Sequence, residues 1–253
     1  MQHFLDTILT ITDKAEEIPK RYFREALDIE HKGDASPVTI ADQQCERAIR
    51  DGLAKHFPEH SIFGEEFGQT ETDSAYRWII DPIDGTRSFI SGMPLYGMLI
   101  ALLKDGAPIL GLLRMPELGE VYTGTKDGAF LNKTKRLHVS SSTDLDTAFI
   151  YINEADKIAA THAQQFQNLM TAGLDRRFSY DCYPHALVAA GHIDTCVDFD
   201  LKPYDYLPLV AIVEAAGGII TDWDGHALTL QSDGRVVSAA TPALHAALLE
   251  RLK

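Results

Sequence analysis

The sequence predicts an α+β protein in which helices and β-sheets stack in layers. Its first half places helical stretches beside closely spaced strands, whereas from about Thr147 strands and helices alternate. Strand-rich and alternating segments in one chain point to sheets covered by helices, not to a purely parallel sheet. The third observation is size: 253 residues, 45% hydrophobic and 24% charged, suffice for a substantial core.

Over 4–29 apolar residues recur at helical spacing (Leu5, Ile8, Leu9; then Phe23, Ala26, Leu27), with a break expected near Pro19. A second helix is expected over 40–56, burying Ala41, Cys45, Ala48, Ile49 and Leu53. Trp78-Ile79-Ile80 reads as a buried strand ending at Asp81-Pro82. The runs 95–103 and 109–114, split by Lys104-Asp105-Gly106-Ala107-Pro108, read as an antiparallel pair, and 119–130 continues the strand-and-turn pattern. Beyond Thr147 the expected series is a strand at 148–152, a helix at 162–172, a helix at 185–190 and a strand at 193–199. It continues with a helix at 205–216, strands at 218–222 and 235–240, and a last helix from Pro242 capped by Thr241. No linker, repeat or low-complexity tract divides the chain, so 1–253 is expected to act as one unit with halves 1–140 and 141–253.

The net charge is −14, from 37 acidic and 23 basic side chains. Nucleic acid and anionic membrane both require a positive surface, so neither is an expected partner. The longest apolar run, 95–103, falls far short of the ~20 residues of a membrane span. Met1-Gln2-His3-Phe4-Leu5-Asp6 lacks a cationic start and apolar stretch, and Cys45, Cys182 and Cys196 are too scattered for a disulfide framework. A cytoplasmic protein with reduced thiols is expected.

The chemistry concentrates in Asp81-Pro82-Ile83-Asp84-Gly85-Thr86, where a buried strand runs into a turn. Two carboxylates at a strand end can converge on one hard cation, and Gly85 allows backbone to approach a bound anion. A structural Asx turn accounts for the same residue types. The three-residue interval from Asp81 to Asp84 excludes the aspartyl-nucleophile phosphatases of the haloacid dehalogenase type, whose second Asp follows two residues on. Gly64-Glu65-Glu66 offers a further ligand or a solvated acidic loop. Asp42 stands three positions after Thr39, as in a capping box, yet an acid in a first helical turn can also reach an ion. Asp205 is read as the N-cap of its helix with the same second possibility, its approach set by Lys202-Pro203-Tyr204. Asp181, Asp198 and Asp200 form a third acidic group, with Asp198 and Asp200 expected on one strand face. His185 reads equally as a ligand or as a satisfied helix histidine.

Taken together, Gly64-Glu65-Glu66, Asp81-Pro82-Ile83-Asp84-Gly85-Thr86 and Tyr204-Asp205 followed by Glu214-Ala215-Ala216-Gly217-Gly218 resemble the inositol monophosphatase superfamily, in order, from about Lys32 to Ala240. Tyr204 departs from the Trp found in many members but keeps an aromatic ring. The resemblance implies an α-β-α-β-α sandwich, a homodimer, and Mg²⁺ as cofactor, two per subunit with a weaker third near Asp42. It implies Glu65, Asp81, the Ile83 carbonyl, Asp84 and Asp205 as ligands, and Gly85 and Thr86 as holding phosphate and the attacking water. Asp42, Glu65 and Thr86 would orient or deprotonate that water.

Within the superfamily, Asp84-Gly85-Thr86-Arg87-Ser88-Phe89-Ile90-Ser91-Gly92, Tyr180-Asp181-Cys182-Tyr183 and Leu201-Lys202-Pro203-Tyr204-Asp205 are similar to the histidinol-phosphate phosphatase branch. Inositol phosphatases more often carry Thr-Asn at Arg87-Ser88. Histidinol phosphate bears an ammonium and an imidazole, and Asp181 and Asp198, with Arg87 alongside, would line a pocket for it. The implied activity is Mg²⁺-dependent hydrolysis of a small phosphate monoester. An inositol- or sugar-phosphate phosphatase and a catalytically silent ligand-binding scaffold stand as alternatives.

Overall fold

The computed structural model describes residues 1–25, 29–31 and 37–253; Ala26, Leu27 and Lys32, named above, lie outside the described residues. The chain opens with α1 (Gln2–Ala15) and α2 (Glu17–Tyr22), then β1 (Ile29–His31), β2 (Pro37–Thr39) and α3 (Ile40–His56). Next come β3 (Ser61–Gly64), β4 (Gly68–Thr70), β5 (Tyr76–Asp84) and α4 (Thr86–Ser91). Five strands follow: β6 (Gly97–Lys104), β7 (Ala107–Met115), β8 (Glu120–Thr125), β9 (Gly128–Leu131) and β10 (Lys135–Arg136). The second half runs β11 (Phe149–Asn153), α5 (Ala155–Thr161), α6 (Ala163–Leu169), β12 (Asp175–Ser179) and α7 (Tyr183–Ala189). It ends with β13 (Thr195–Asp198), α8 (Pro203–Ala215), β14 (Ile219–Thr221), β15 (Val236–Ala239) and α9 (Pro242–Arg251).

Two sheets dominate: eight strands in the order β10-β9-β8-β7-β6-β5-β3-β4 and five in the order β12-β11-β13-β15-β14. In the larger sheet only β3 and β5 run parallel. Strand periodicity decides the layering. Trp78 and Ile80, with Met98, Ile100 and Leu102, pack on Ile8, Leu9, Cys45, Ile49 and Leu53 of α1 and α3. Their neighbours Ile79, Leu99, Ala101 and Leu103 point the other way, onto Ala186 of α7 and Leu207, Val210 and Ile212 of α8. A strand buried on both faces must be apolar throughout, which explains the unbroken run of β6. The smaller sheet turns Ile150, Ile152, Val197 and Val237 onto Ile158, Leu169, Leu244 and Leu248 of α5, α6 and α9. The result is the α-β-α-β-α sandwich. α8 lies between the sheets and is apolar all round, with residues 206–213 buried.

Several boundaries differ from the sequence reading. The first helix breaks at Glu16, and Pro19 sits third in α2, where its missing N–H leaves no helical bond unmade. The β5 strand does not stop at Asp81-Pro82 but continues to Asp84. Asp205 is not the N-cap of α8; the helix starts earlier, at Pro203, because proline is pre-set for a first helical position. Strand β13 ends at Asp198, and Asp200 lies in a left-handed turn (φ 66°) paired to Lys157 and Lys202, so the two acids do not share a strand face. Strand β12 and helix α5 were not anticipated: β12 is a mostly exposed edge strand of Asp-Arg-Arg-Phe-Ser, without apolar alternation.

Candidate active site

The site forms where β5 runs out of the larger sheet. Pairing with β6 goes from Asp81 opposite Leu99 to Asp84 opposite Gly97, so three steps along β5 match two along β6. In a regular strand, residues three apart face opposite sides; the extra residue of this bulge brings Asp81 and Asp84 to one side. Pro82 fits within the irregularity because no ladder donor is needed there. Asp81 Oδ1 also accepts the Ile83 N–H at 3.0 Å, so the Asx-turn reading holds together with the convergence. Asp205 arrives from the first turn of α8, where its Oδ2 accepts the Lys202 N–H at 2.7 Å. Carboxylate oxygens of Asp81, Asp84 and Asp205 all lie within 4.8 Å of one another.

Each acid is fixed from behind. The Cys182 N–H, at the entry to α7, donates to Asp84 Oδ2 at 2.6 Å. Glu65 follows Gly64, whose missing side chain makes room for the buried Glu46 carboxylate; a Cβ at Gly64 would meet Glu46 Oε1 at 2.1 Å. Glu46 in turn accepts the N–H groups of Glu66 (2.6 Å) and Phe67 (3.3 Å), while the Glu65 N–H reaches the Ile80 carbonyl at 3.1 Å. Glu65 is near enough to raise the carboxyl pKa values of Asp81, Asp205 and Asp42. Asp42 forms the expected capping box, accepting the Thr39 N–H at 2.9 Å, and its Oδ1 accepts the Thr86 hydroxyl at 3.3 Å. The same hydroxyl lies 3.3 Å from the Ile83 carbonyl. Gly85 caps α4 in the left-handed conformation (φ 83°), which glycine adopts without strain.

These acids are crowded and partly or fully buried. Burial, then Glu65, Asp84 and Asp205, hold the Asp81 carboxyl well above its ordinary range; burial, then Asp181 and Asp205, do the same to Asp84. Burial pushes Asp205 up to about 7, and Asp42 and Asp181 to about 6. Among the described residues no lysine or arginine pairs with Asp81, Asp84 or Asp205. A set of hard oxygen donors, pre-positioned and uncompensated, fits a small divalent cation such as Mg²⁺. Two other acidic groups are satisfied differently. His185 is buried with Nδ1 2.9 Å from Ser238 Oγ and Nε2 3.1 Å from Asp198, and so is a satisfied core histidine. Asp222 accepts the N–H groups of Asp224 (2.9 Å) and His226 (2.8 Å) and builds a turn.

The expected substrate residues divide. Asp181, held in a left-handed conformation (φ 64°), accepts the Ser88 hydroxyl and lies against Gly85. With Arg87 it lines a cavity of about 670 Å³. Asp198 is only 1% exposed and does not line that cavity; its oxygens accept from Asn153 (2.6 Å), His185 (3.1 Å) and the Phe199 N–H (2.8 Å). The sequence reading missed Asn153, whose amide also donates to the Asp181 carbonyl at 2.9 Å and so ties the two acids together. It quoted Ser88 in the branch motif without giving it a role, and missed Glu46, since an acid within a long helix carries no local signal.

The model of the inositol monophosphatase family matches residues 1–253. The chain is 39% identical over 237 residues to a histidinol-phosphatase of Chlorobaculum parvum, covering 92% of this chain and 90% of that protein. It is 36% identical over 252 residues to the chloroplastic bifunctional phosphatase IMPL2 of Arabidopsis thaliana, covering 96% of this chain and 73% of that protein. The fold is similar to that of an inositol monophosphatase from Zymomonas mobilis, with a TM-score of 0.89 and 36% identity, covering 99% and 98% of the two chains. With the whole sequence matched, the acids gathered at the end of β5 and the sandwich shared, the chain belongs to the inositol monophosphatase family and is a phosphoric monoester hydrolase.

Proposed function

We propose that the protein is a Mg²⁺-dependent phosphatase that hydrolyses L-histidinol phosphate to L-histidinol and phosphate, a step of histidine biosynthesis. The observation that carries the phosphatase reading is the meeting of Asp81, Asp84 and Asp205 within 4.8 Å, with Glu65 and Asp42 behind them. Glu65, Asp81, Asp84, Asp205 and the Ile83 carbonyl are the proposed ligands. Two ions per subunit are proposed, with a weaker third beside Asp42. Bound there, magnesium supplies charge neutralisation for a phosphate dianion and acidity for a water. That answers how a chain of net charge −14 accepts an anionic substrate.

The protein's own groups do the positioning. Phosphate is received by the Gly85 and Thr86 backbone, where Gly85 leaves the approach open. Thr86 donates to Asp42 Oδ1 at 3.3 Å, which leaves its oxygen lone pairs free to accept from the attacking water. As the water oxygen bonds to phosphorus and the bond to the ester oxygen breaks, the water's proton passes toward Thr86 and Asp42, or toward Glu65, and the departing alkoxide takes a proton from solvent water. Phosphoryl transfer depends on alignment and electrostatics more than on covalent chemistry, in keeping with a site built of acids and one hydroxyl.

For the substrate, the support is Asp181 on the cavity wall and relatives named histidinol-phosphatase. The 36%-identical inositol monophosphatase structure favours a second reading, an inositol- or sugar-phosphate phosphatase. Side-by-side kcat/KM values for L-histidinol phosphate and myo-inositol 1-phosphate, with and without Mg²⁺, separate them. A clear preference for the inositol ester overturns the first reading, and Mg²⁺-independent or absent turnover of every ester overturns both. We also propose a cytoplasmic homodimer, with the 253 residues acting as one unit. Among the described residues no helix is long and apolar enough to cross a membrane. A monomeric mass by light scattering would refute the dimer.

A further inference from the structure

The 670 Å³ cavity reaches the proposed phosphate site through Asp181, whose carboxylate lies against Gly85. Its walls come from elements far apart in sequence: α4, the end of β11 with the start of α5, and the edge strand β12. Three carboxylates line it, Asp181, Glu154 and Asp156, together with the rings of Tyr151, Phe178 and Tyr180. Phe178 and Tyr180 are 55% and 51% exposed, and Phe178 stacks on Phe166 with ring centroids 6.2 Å apart.

Charges on these walls are not equivalent. The cavity's guanidiniums, Arg87 and Arg177, are exposed, whereas Asp181 and Glu154 are half-buried and therefore less screened by solvent. Glu154 holds a left-handed backbone (φ 46°) at the start of α5, a conformation costly for a non-glycine residue and common at functional sites. Its carboxylate meets Lys157 at 2.6 Å, but Lys157 is divided with Asp200 at 3.0 Å, which itself reaches the exposed Lys202 at 3.4 Å. Despite Lys157, burial first and then Asp198 and Asp156 hold the Glu154 carboxyl above its ordinary pKa, so added positive charge is favoured there. Asp198, turned inward onto Asn153 and His185, offers the cavity nothing directly.

We propose that Glu154 is the residue of this cavity that discriminates between leaving alcohols, favouring those that bear a nitrogenous cation. The acids supply charge-assisted hydrogen bonds to an ammonium or protonated ring nitrogen, and the aromatic faces supply cation–π contact. The inference rests on the phosphatase reading and deepens it through Glu154 and Asp156, which that reading does not use.

The test measures kcat and KM, in Mg²⁺, for L-histidinol phosphate, O-phosphoethanolamine and the uncharged-alcohol ester glycerol 2-phosphate. Wild type and Glu154→Gln are compared. Wild type is expected to prefer the cationic esters. Glu154→Gln lowers the cationic-to-neutral ratio of kcat/KM about tenfold, the loss lying in KM, as for one charge-assisted hydrogen bond. An unchanged ratio in a variant that still turns over glycerol 2-phosphate overturns the inference. If Glu154→Gln does not fold, Asp156→Asn on the exposed rim serves, with a ratio lowered about threefold as expected of a weaker, solvent-screened charge; no change there overturns it equally. Preference for phosphoethanolamine without turnover of histidinol phosphate leaves the subsite standing and removes the histidinol-phosphate reading. Efficient histidinol-phosphate turnover that ignores Glu154 and Asp156 does the reverse.

Discussion

Gly85 has the carboxylate of Asp181 where its own side chain would be: a Cβ there would stand 2.5 Å from Asp181 Cγ. The residue that opens α4 and the acid that rims the cavity thus occupy one another's space, and only glycine at 85 allows it. Gly85→Ala must displace Asp181 and also adopt φ 83° with a Cβ. Displacement on the 1 Å scale at a reacting centre costs about 10²-fold or more in kcat/KM. The expected outcome is that loss with secondary structure retained by circular dichroism; wild-type kinetics would show that Asp181 is not held here.

Asp84→Asn keeps the shape of a buried side chain whose Oδ2 accepts the Cys182 N–H at 2.6 Å, but removes its charge. Activity should fall by about 10³-fold or more, as expected when several kcal/mol of transition-state charge stabilisation is lost. In EDTA the variant should melt above wild type, because burial, Asp181 and Asp205 make that carboxylate costly. Near-normal turnover would remove Asp84 from the ligand set.

The pH response of the metal-free protein has a definite sign. Asp205 is raised from 3.8 to about 7, and Asp42 and Asp181 to about 6, so the native state binds more protons than the unfolded chain between these values. The stability this supplies is fully present below about 3.8 and is lost as pH rises through about 7. Each extra bound proton corresponds to about 1.4 kcal/mol per pH unit. Melting in EDTA should therefore weaken from pH 4 to 7 through these groups, and the gain on adding Mg²⁺ should grow over the same interval, since protons and metal compete. A Mg²⁺ gain independent of pH would contradict the crowding of these acids.

Thr86→Val removes the hydroxyl that reaches Asp42 Oδ1 and the Ile83 carbonyl, each at 3.3 Å, while keeping its volume. Loss of a group that orients or relays a proton costs about 10²-fold or more. The fall should appear in kcat, with Mg²⁺ binding by calorimetry preserved; loss of Mg²⁺ binding instead would make Thr86 structural.

The middle layer has its own test. A Cβ at Gly111 on β7 would lie 2.1 Å from the Pro208 carbonyl of α8, and one at Gly124 on β8 would lie 2.2 Å from that of Ala211. Backbone cannot yield as a flexible side chain does, so Gly111→Ala should destabilise by about 3 kcal/mol or more. Urea unfolding with a midpoint equal to wild type would mean that α8 is not seated on these glycines.

The sequence by itself determined the layers and the chemical types. The apolar run of β6, the alternation around Trp78 and the helical spacing of α3 dictate what is buried, because burial follows local periodicity. Asp81, Asp84 and Glu65 announced themselves through their turn neighbours. Tertiary structure decided the convergence. The β5 bulge turns Asp81 and Asp84 the same way, Cys182 reaches Asp84 across 98 positions, and Asn153 binds Asp181 and Asp198 together. It also turned Asp198 inward and set Glu154 on the cavity wall in its place. Such contacts depend on how separate layers stack, and a side chain's local neighbours carry no record of what the next layer will place against it.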